Sequence, residues 1–533
     1  MSSVVTPPGR RAGLLLPLFS LRTGRDWGIG EIGDLGSLAA WFRRAGQRVL
    51  QLLPLNELPD HETSPYSALS GMAIDPRFIS LGLVPDFHAI GGEASLDAAS
   101  RARLAELRAL SRVRYPAVRS LKAEALTKAY RRFVDAELSA DSPRARAFRE
   151  FLLEQAWWLD AYALFRALHH EQGARPWTAW PAPLRDRDAE ALAAARIRLR
   201  DAVQYRQYLQ WLADDQWRAA RREANDVSIF GDLPFMVALD SADVWERQGE
   251  FRLDASLGVP PDAFSETGQD WNLPVYRWDV IEEGGFEWLT ARARRYASLF
   301  DGYRVDHLVG FFRTYFREPN GVSGFTPADE AAQRTLGERI LGIFLASGAT
   351  IVAEDLGVVP DFVRASMARL DVPGCKVFRW ERHWNTVGHP FVDPADYPVS
   401  SVAVTGTHDT EPMATWWTEA SPAERAAVAA VPLVNAIARD ELCVGAPEAP
   451  GSGMSPAVRD ALLEAVYAAA SDLVIVPLQD AFGWTDRINT PAVVDDVNWT
   501  WRLPWRLEDV EAQPEAVRAA QRLQALARRH RRA

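Results

Sequence analysis

Two cysteines in 533 residues, Cys375 and Cys443, stand in no CxxC-type cluster. They cannot build a disulfide framework, which excludes the small stapled folds and fits a reducing cytoplasm. Positive charge is also short. The formal net charge of −11 speaks against general affinity for nucleic acid or an anionic membrane surface. No apolar run approaches the roughly 18 residues that a spanning helix needs. The chain has no GxGxxG fingerprint or P-loop after a strand-like run, so the usual phosphate-cradling loops are missing. No repeat at solenoid period and no low-complexity tract occurs. One segment loosely imitates an export signal, because Arg10 and Arg11 precede the apolar run 12–19. That run is short, contains Pro17, and leads into "GRDWGIGEIGDLG" without a small-residue cleavage site, so it reads as part of the folded protein.

With 48% hydrophobic and 25% charged residues the composition is that of a globular chain. Length alone allows about three or four domain-sized units, or one large barrel with insertions. Short apolar runs then recur in order: "AGLLLPLF" (12–19), "VLQLLPL" (49–55), "VSIFGD" (227–232), "GYRVD" (302–306), "TIVAED" (350–355), "CKVFRW" (375–380), "VAVTGTHD" (402–409) and "LVIVPLQD" (473–480). Runs so rich in Val, Ile, Leu and Phe predict strands buried on both faces. Helical stripes lie between them. Leu38, Trp41, Phe42 and Ala45 share one face, as do Leu289, Ala293, Tyr296 and Phe300, and "PDFVRASMARL" opens on a helix-compatible proline. Alternating strand and helix implies parallel pairing, and eight such units predict an α/β fold, a (β/α)8 barrel. A doubly wound open sheet is the main alternative.

The spacing is uneven. Residues 56–226 are too many for one crossover helix. The Leu104, Leu107 and Leu110 stripe, with that of Leu121, Ala125, Ala129 and Phe133, predicts a largely helical insertion whose loops are "DSPRAR" and "ARPWTAWPAPLRDRD". "GVPPDAFSETGQDWNLPVYRW" (258–278) reads as a structured loop over a site. The basic tail "ARRHRRA" (527–533) reads as a frayed helix end.

In a barrel the C-terminal strand ends share one rim, where active sites are built. Five runs bring acids there: Asp232, Asp306, Glu354 with Asp355, Asp409, and Asp480. An acid after a strand often only caps the next helix. Several together repel unless cations or protons relieve them. Arg304 supplies a cation, and His307 and His408 adjustable ones; no HxxxH or Cys/His cluster marks them as metal ligands. In "DGYRVDHLVG" (301–310) Arg304 and Asp306 alternate with Tyr303 and Val305, so cation and carboxylate share one face of a strand. Retaining glycoside chemistry needs one ionised carboxylate and one protonated partner. Asp306 beside Arg304 suits the first role, and Glu354 after the apolar "TIVA" suits the second. Twenty tryptophans point the same way, since flat rings pack on the apolar faces of sugars. Any one of them is more simply a packing residue.

These motifs resemble those of amylomaltases, the 4-α-glucanotransferases of glycoside hydrolase family 77, which are related to the α-amylases. "LPLFSLRTGRDWGIGEIGDLG", "SPYSALSGMAIDP", "GDLPFMVALDSADVW", "GVPPDAFSETGQDW", "GYRVDH", "VAEDLG", "TGTHDT" and "LQDAFGWTDRINTP" follow the family order over nearly the whole chain. The resemblance implies Asp306 as nucleophile, Glu354 as general acid/base and Asp409 as transition-state stabiliser. It implies substrate contacts from Tyr66, Arg304, His408, Phe264, Gln269 and Trp271, with Asp232 behind them in a supporting role. It also implies one catalytic domain over 1–533, a helical subdomain inserted at 88–205 and a lid at 251–280. The substrates would be maltooligosaccharides, amylose or glycogen-derived glucans, handled without metal or cofactor. A plain α-glucan hydrolase needs the same three carboxylates, and a non-catalytic glucan-binding protein would have replaced at least one of them. The chain departs from the family pattern in two places: "NLP" follows Trp271 where the family reads Gly-Asn-Pro, and Ala492 stands where Gly follows Pro491.

Overall fold

Strands that are buried on both faces leave no polar alternation, and the eight apolar runs each supply one such strand. The computed structural model describes residues 9–60, 62–260, 268–438, 453–491, 493 and 495–533. Twelve strands follow in chain order: β1 (Arg11–Leu15), β2 (Val49–Gln51), β3 (Ser228–Leu233), β4 (Phe251–Val259), β5 (Gln269–Tyr276), β6 (Gly302–Val305), β7 (Thr314–Arg317), β8 (Ser323–Thr326), β9 (Thr350–Ala353), β10 (Gly374–Val377), β11 (Ser401–Val404) and β12 (Leu473–Pro477). Eight of them close into a parallel barrel in the order β1-β12-β11-β10-β9-β6-β3-β2. Closure is carried by β1 against β12, where Arg11 pairs with Leu473 and Leu15 with Pro477. An open doubly wound sheet has no such pair. Most of the strands are shorter than the apolar runs, because the run continues past the strand towards a rim loop. In 12–19, Pro17 ends the strand and caps the 3-10 turn Leu18–Ser20.

Helices pack outside the barrel with the predicted faces inward. Leu35–Arg44 buries Leu38, Trp41 and Phe42, and Glu287–Leu299 buries Leu289, Ala293 and Tyr296. Between β2 and β3 lie Ala98–Ala109, Tyr115–Arg132, Pro143–Glu171, Ala189–Arg198 and Arg200–Ala224. The last of these runs unbroken through residue 205 and leads into β3. "DSPRAR", expected as a loop, instead starts the helix Pro143–Glu171. Ser142 accepts a hydrogen bond from Ala145 N, and Pro143 occupies the first helical position. In "ARPWTAWPAPLRDRD" a 3-10 turn, Trp177–Ala179, and a one-turn helix, Ala182–Arg185, replace plain loop.

A second sheet stands apart from the barrel, in the order β5-β4-β7-β8. The stretch 258–278, expected as irregular loop, contributes β5 and the end of β4, paired antiparallel with Phe251 opposite Tyr276 and Val259 opposite Gln269. Their apolar and polar positions do not alternate cleanly, because the register shifts around Leu257. That irregularity hid the hairpin from periodicity.

The tail 527–533 is not frayed. After the helix Pro514–Arg529, Arg532 turns back and is fully buried. Its guanidinium donates to Tyr467 O (2.6 Å), Ala469 O (2.7 Å) and Asp472 O (3.1 Å), while its carbonyl accepts from Ala12 N. The chain end is thereby sewn across the β1–β12 seam. Among the described residues no helix is long and apolar enough to cross a membrane.

Candidate active site

The pleat decides which side chains of β6 enter the barrel. Tyr303 points outward, its ring edge against Tyr296 and Phe344 on the surrounding helices. Arg304 and Asp306 therefore point inward. Asp232 on β3 is the register partner of Arg304. Arg304 Nε donates to Asp232 Oδ2 at 2.8 Å, and Nη2 donates to Asp306 Oδ1 and to Tyr66 OH, each at 2.9 Å. One buried cation thus fixes two carboxylates and a phenol in one plane of contacts.

Asp306 and Glu354 are the first residues beyond β6 and β9, which are neighbours with Val305 opposite Ala353. Neighbouring strands lie about 4.8 Å apart. The ladder continues past both ends, with Asp306 N donating to Leu233 O and Glu354 N to Val305 O, each at 3.0 Å. His307 then adopts a left-handed backbone, φ 44°, unusual for a residue with a side chain. That turn aims its amide at Glu354 Oε2 (2.8 Å), while Leu356 N reaches Oε1 (3.0 Å). Burial nevertheless raises the Glu354 carboxyl to about 7. The charge of Asp306 adds to the rise, while Arg304 and the two amides oppose it. Burial likewise pushes Asp232 up to about 6 against the pull of Arg304.

Asp409 sits in the turn after β11, where Thr407 Oγ1 accepts from Asp409 N and Thr410 Oγ1 from Thr407 N. Its Oδ2 lies 3.1 Å from His408 Nε2, and its Oδ1 accepts from Asn489 Nδ2 at 2.6 Å. Burial works against ionisation here, but His408, Asn489 and Arg304 overcome it and hold the carboxyl well below the usual range. Tyr66 bridges the groups, donating to Asp232 Oδ2 at 2.9 Å with its hydroxyl 3.0 Å from His408 Nε2. Its ring stacks on His408 at 5.5 Å and leans on Trp499 at 6.0 Å.

Trp271, on β5, sets its ring edge-on to His307 at 5.0 Å, which brings it beside the turn that holds Glu354. Gln269, two positions earlier on the same face, accepts from Trp271 Nε1 at 3.1 Å. Phe264 lies outside the described residues, as do Cys443 and Ala492. Asp232 was expected behind the substrate contacts, in a supporting role. It is fully buried, and its role runs through Arg304 and Tyr66. Two of the acids read as rim acids are not at the site. Asp355 accepts from Cys375 N, and Asp480 accepts from Thr405 Oγ1 and Met413 N, both buried. His307 is packed between Phe235 and Trp271, where burial lowers its pKa to about 4. Among the described residues no group of three His, Cys, Asp or Glu side chains could hold a metal ion.

Sequence reasoning missed three contributors. Arg487 donates to Asp409 O at 2.7 Å, Asn489 holds the carboxylate, and Trp499 backs Tyr66 and His408. The only signal for the first two was their place in "LQDAFGWTDRINTP"; nothing local links them to a turn some eighty positions earlier.

The departure at "NLP" has a physical resolution. Asn272 stands where the family pattern has Gly, and its φ is 53°. Asn tolerates this left-handed conformation far better than most residues with a side chain, and Asp270 Oδ1 accepts from its amide at 2.8 Å. Asn272→Gly is therefore expected to leave activity unchanged. Asn272→Val is expected to cost about 1–3 kcal/mol locally, visible as faster proteolytic cleavage within 251–280.

A closed barrel whose C-terminal rim carries one acid bonded to an arginine, one carboxyl titrating near neutrality and a third anchored acid defines a class: barrel enzymes that act on glycosidic bonds. The particular family follows from comparison. A family model described as 4-alpha-glucanotransferase matches residues 16–508, and the chain belongs to that family. It is 34% identical over 510 residues to a 4-alpha-glucanotransferase of Thermus thermophilus, covering 93% of this chain and 95% of that protein. A Chlamydia pneumoniae 4-alpha-glucanotransferase is 31% identical over 504 residues, with coverage of 93% and 92%. The structure is similar to that of an amylomaltase from Streptococcus agalactiae in complex with acarbose, with TM-score 0.80, 25% identity, and coverage of 98% and 100%.

Proposed function

We propose that this enzyme disproportionates α-1,4-glucans by double displacement at Asp306, Glu354 and Asp409. The observation that carries this reading is the contrast on adjacent strands, with Asp306 tied to the Arg304 cation while burial holds Glu354 near 7. Asp306 attacks the anomeric carbon as Glu354 gives its proton to the departing 4-oxygen, leaving a glucosyl-enzyme ester. Esterification removes the Asp306 charge, one of the causes that raise Glu354. Glu354 therefore becomes a stronger acid once its proton is gone, and stays ready to take one from the 4-hydroxyl of an acceptor sugar. Asp409, ionised and anchored on His408 and Asn489, is placed to bond the hydroxyls of the flattened ring as positive charge develops. Tyr66 and Trp271 offer rings to the sugar faces, with Gln269 and Phe264 further along the chain. Arg304 and His408 flank the reacting unit, and Asp232 supports them from below. The substrates are maltooligosaccharides, amylose or glycogen-derived glucans, in the cytoplasm.

Maltotriose tests the reading. A ladder of longer and shorter products with glucose released and little growth in total reducing ends is expected; a matching rise in reducing ends identifies a hydrolase instead. The same assay reads the pH dependence. Glu354 must carry a proton to act as acid, so kcat/KM is expected to be full below about pH 7 and to fall as pH rises through it. A profile flat to pH 9 refutes the assignment of the acid.

A further inference from the structure

The helical insertion meets the barrel over a charged cavity of about 240 Å³. The helices Tyr115–Arg132, Pro143–Glu171 and Arg200–Ala224 supply one side of it, through Arg119, Lys122, Arg166 and Arg206. The other side comes from the two roots of the loop that carries Tyr66. Glu57 and Asp60 lie at its start, Asp75 and Arg77 at its end. The roots are joined by the Asn56–Ile74 bridge and by Asp75 N donating to Leu55 O. Five cations thus face three carboxylates, in a chain whose net charge is −11. The local excess runs against the sign of the whole molecule.

The carboxylates inside are already engaged. Glu57 accepts from Arg166 Nε at 3.1 Å and from Tyr162 OH, and Asp75 Oδ2 from Arg77 Nε at 2.9 Å and Leu58 N at 3.2 Å. Lys122 is saturated by Glu31 and the carbonyls of Arg77 and Ile79. Three guanidinium groups keep donors to offer. Arg77 is 4% exposed, yet its Nη1 has no hydrogen-bond partner among the described residues, which favours any acceptor that reaches it. Arg206 makes no ion pair among the described residues and lies 5.7 Å from the centre of the Tyr205 ring. Arg119 pairs with Asp60 at 2.7 Å, but that carboxylate is 65% exposed and holds it weakly. Burial and the charge of Arg77 lower the Arg119 pKa, as befits cations crowded together with too little anion.

Guanidinium groups match phosphate oxygens two at a time. A phosphate monoester carries about −1.5 to −2 charge near neutral pH, close to the surplus here. Pro76, Leu126 and Leu209, with half-buried Tyr205, add an apolar wall beside the cations. The volume lies below the roughly 300–1,000 Å³ of drug-sized sites, which limits the organic part to a few atoms. We propose that this cavity binds a small phosphate monoester, its phosphate on Arg77, Arg119 and Arg206 and its organic part against Tyr205 and Leu209. Such a ligand ties both roots of the Tyr66 loop to the helical insertion.

Isothermal titration calorimetry of the whole protein with glycerol 3-phosphate tests this, since that ester has no pyranose ring to enter the barrel mouth. One site is expected, with glycerol giving no heat and inorganic phosphate binding about tenfold more weakly for want of apolar contact. Equal affinity for inorganic phosphate would make orthophosphate the ligand and overturn the ester. Arg206→Ala is expected to weaken glycerol 3-phosphate about tenfold and Arg206→Glu to abolish its binding. Both variants should melt with the wild type when free, because Arg206 makes no ion pair to lose. Affinity within twofold of the wild type in Arg206→Glu overturns the proposal, as does an absence of heat from the wild type. Hydrogen exchange locates the ligand independently. Amides of 56–60 and 75–77 should exchange more slowly with the ester bound; unchanged exchange there places the ligand elsewhere and ends the case for the cavity.

Discussion

Asp306→Asn is expected to lower turnover of maltotriose by at least about 10⁴-fold, roughly 5.5 kcal/mol in barrier. An amide is a poor nucleophile and leaves no carboxylate to form the glucosyl ester. It keeps the size of the side chain and a contact with Arg304, whose other bonds to Asp232 and Tyr66 persist. Glucan binding should therefore survive the loss of chemistry. The substitution also removes a negative charge that raises Glu354, so the pKa of that carboxyl should fall below about 7, as carboxyl-selective NMR can follow. Turnover within a hundredfold of the wild type would mean that the nucleophile is another group.

Glu354→Gln is expected to cost about 10²–10⁴-fold with maltotriose, the usual worth of a positioned acid/base. The loss should depend on the leaving group. Fluoride departs without a proton, so with a maltosyl fluoride donor the first step is largely spared and the maltosyl-enzyme accumulates. Azide, which needs no base, should then release it as the glycosyl azide. The fall in kcat/KM above pH 7 should vanish together with the carboxyl. Equal losses on the two donors would show that Glu354 shapes the site and transfers no proton.

The barrel strands were legible because each is buried on both faces; β12 and β11 have no exposed position, and their runs of Leu, Val, Ile and Ala say so directly. The pairing of β1 with β12 is no local property and came only from counting eight units. β4 and β5 escaped because a half-exposed hairpin with shifted register has no clean period, and β7 and β8, four residues each, are too short to show one. Asp306 and Glu354 were legible from their position just past a strand, with Arg304 as neighbour. Asp355 and Asp480 met the same description and are instead consumed by backbone amides or a threonine. Sequence cannot tell a carboxylate that faces the rim from one that ties a loop, because one peptide plane separates the two directions. The supports of Asp409 were illegible for a different reason: Arg487 and Asn489 come from the segment after the neighbouring strand β12, far off in sequence, and their chemistry carries no mark of their partner.

The seam at Arg532 bears on how the protein is made. β1 (Arg11–Leu15) leaves a ribosome long before its partner β12 (Leu473–Pro477). At about 5–20 residues per second β1 waits roughly half a minute or more with one edge unpaired. Even then the joint is unsewn, since Arg532, which ties Ala12 to the carbonyls of Tyr467, Ala469 and Asp472, follows β12 in the chain. The nascent chain must therefore keep an apolar edge from sticking to its neighbours throughout translation. A message that stops before Arg532 would release a barrel with its seam unfastened.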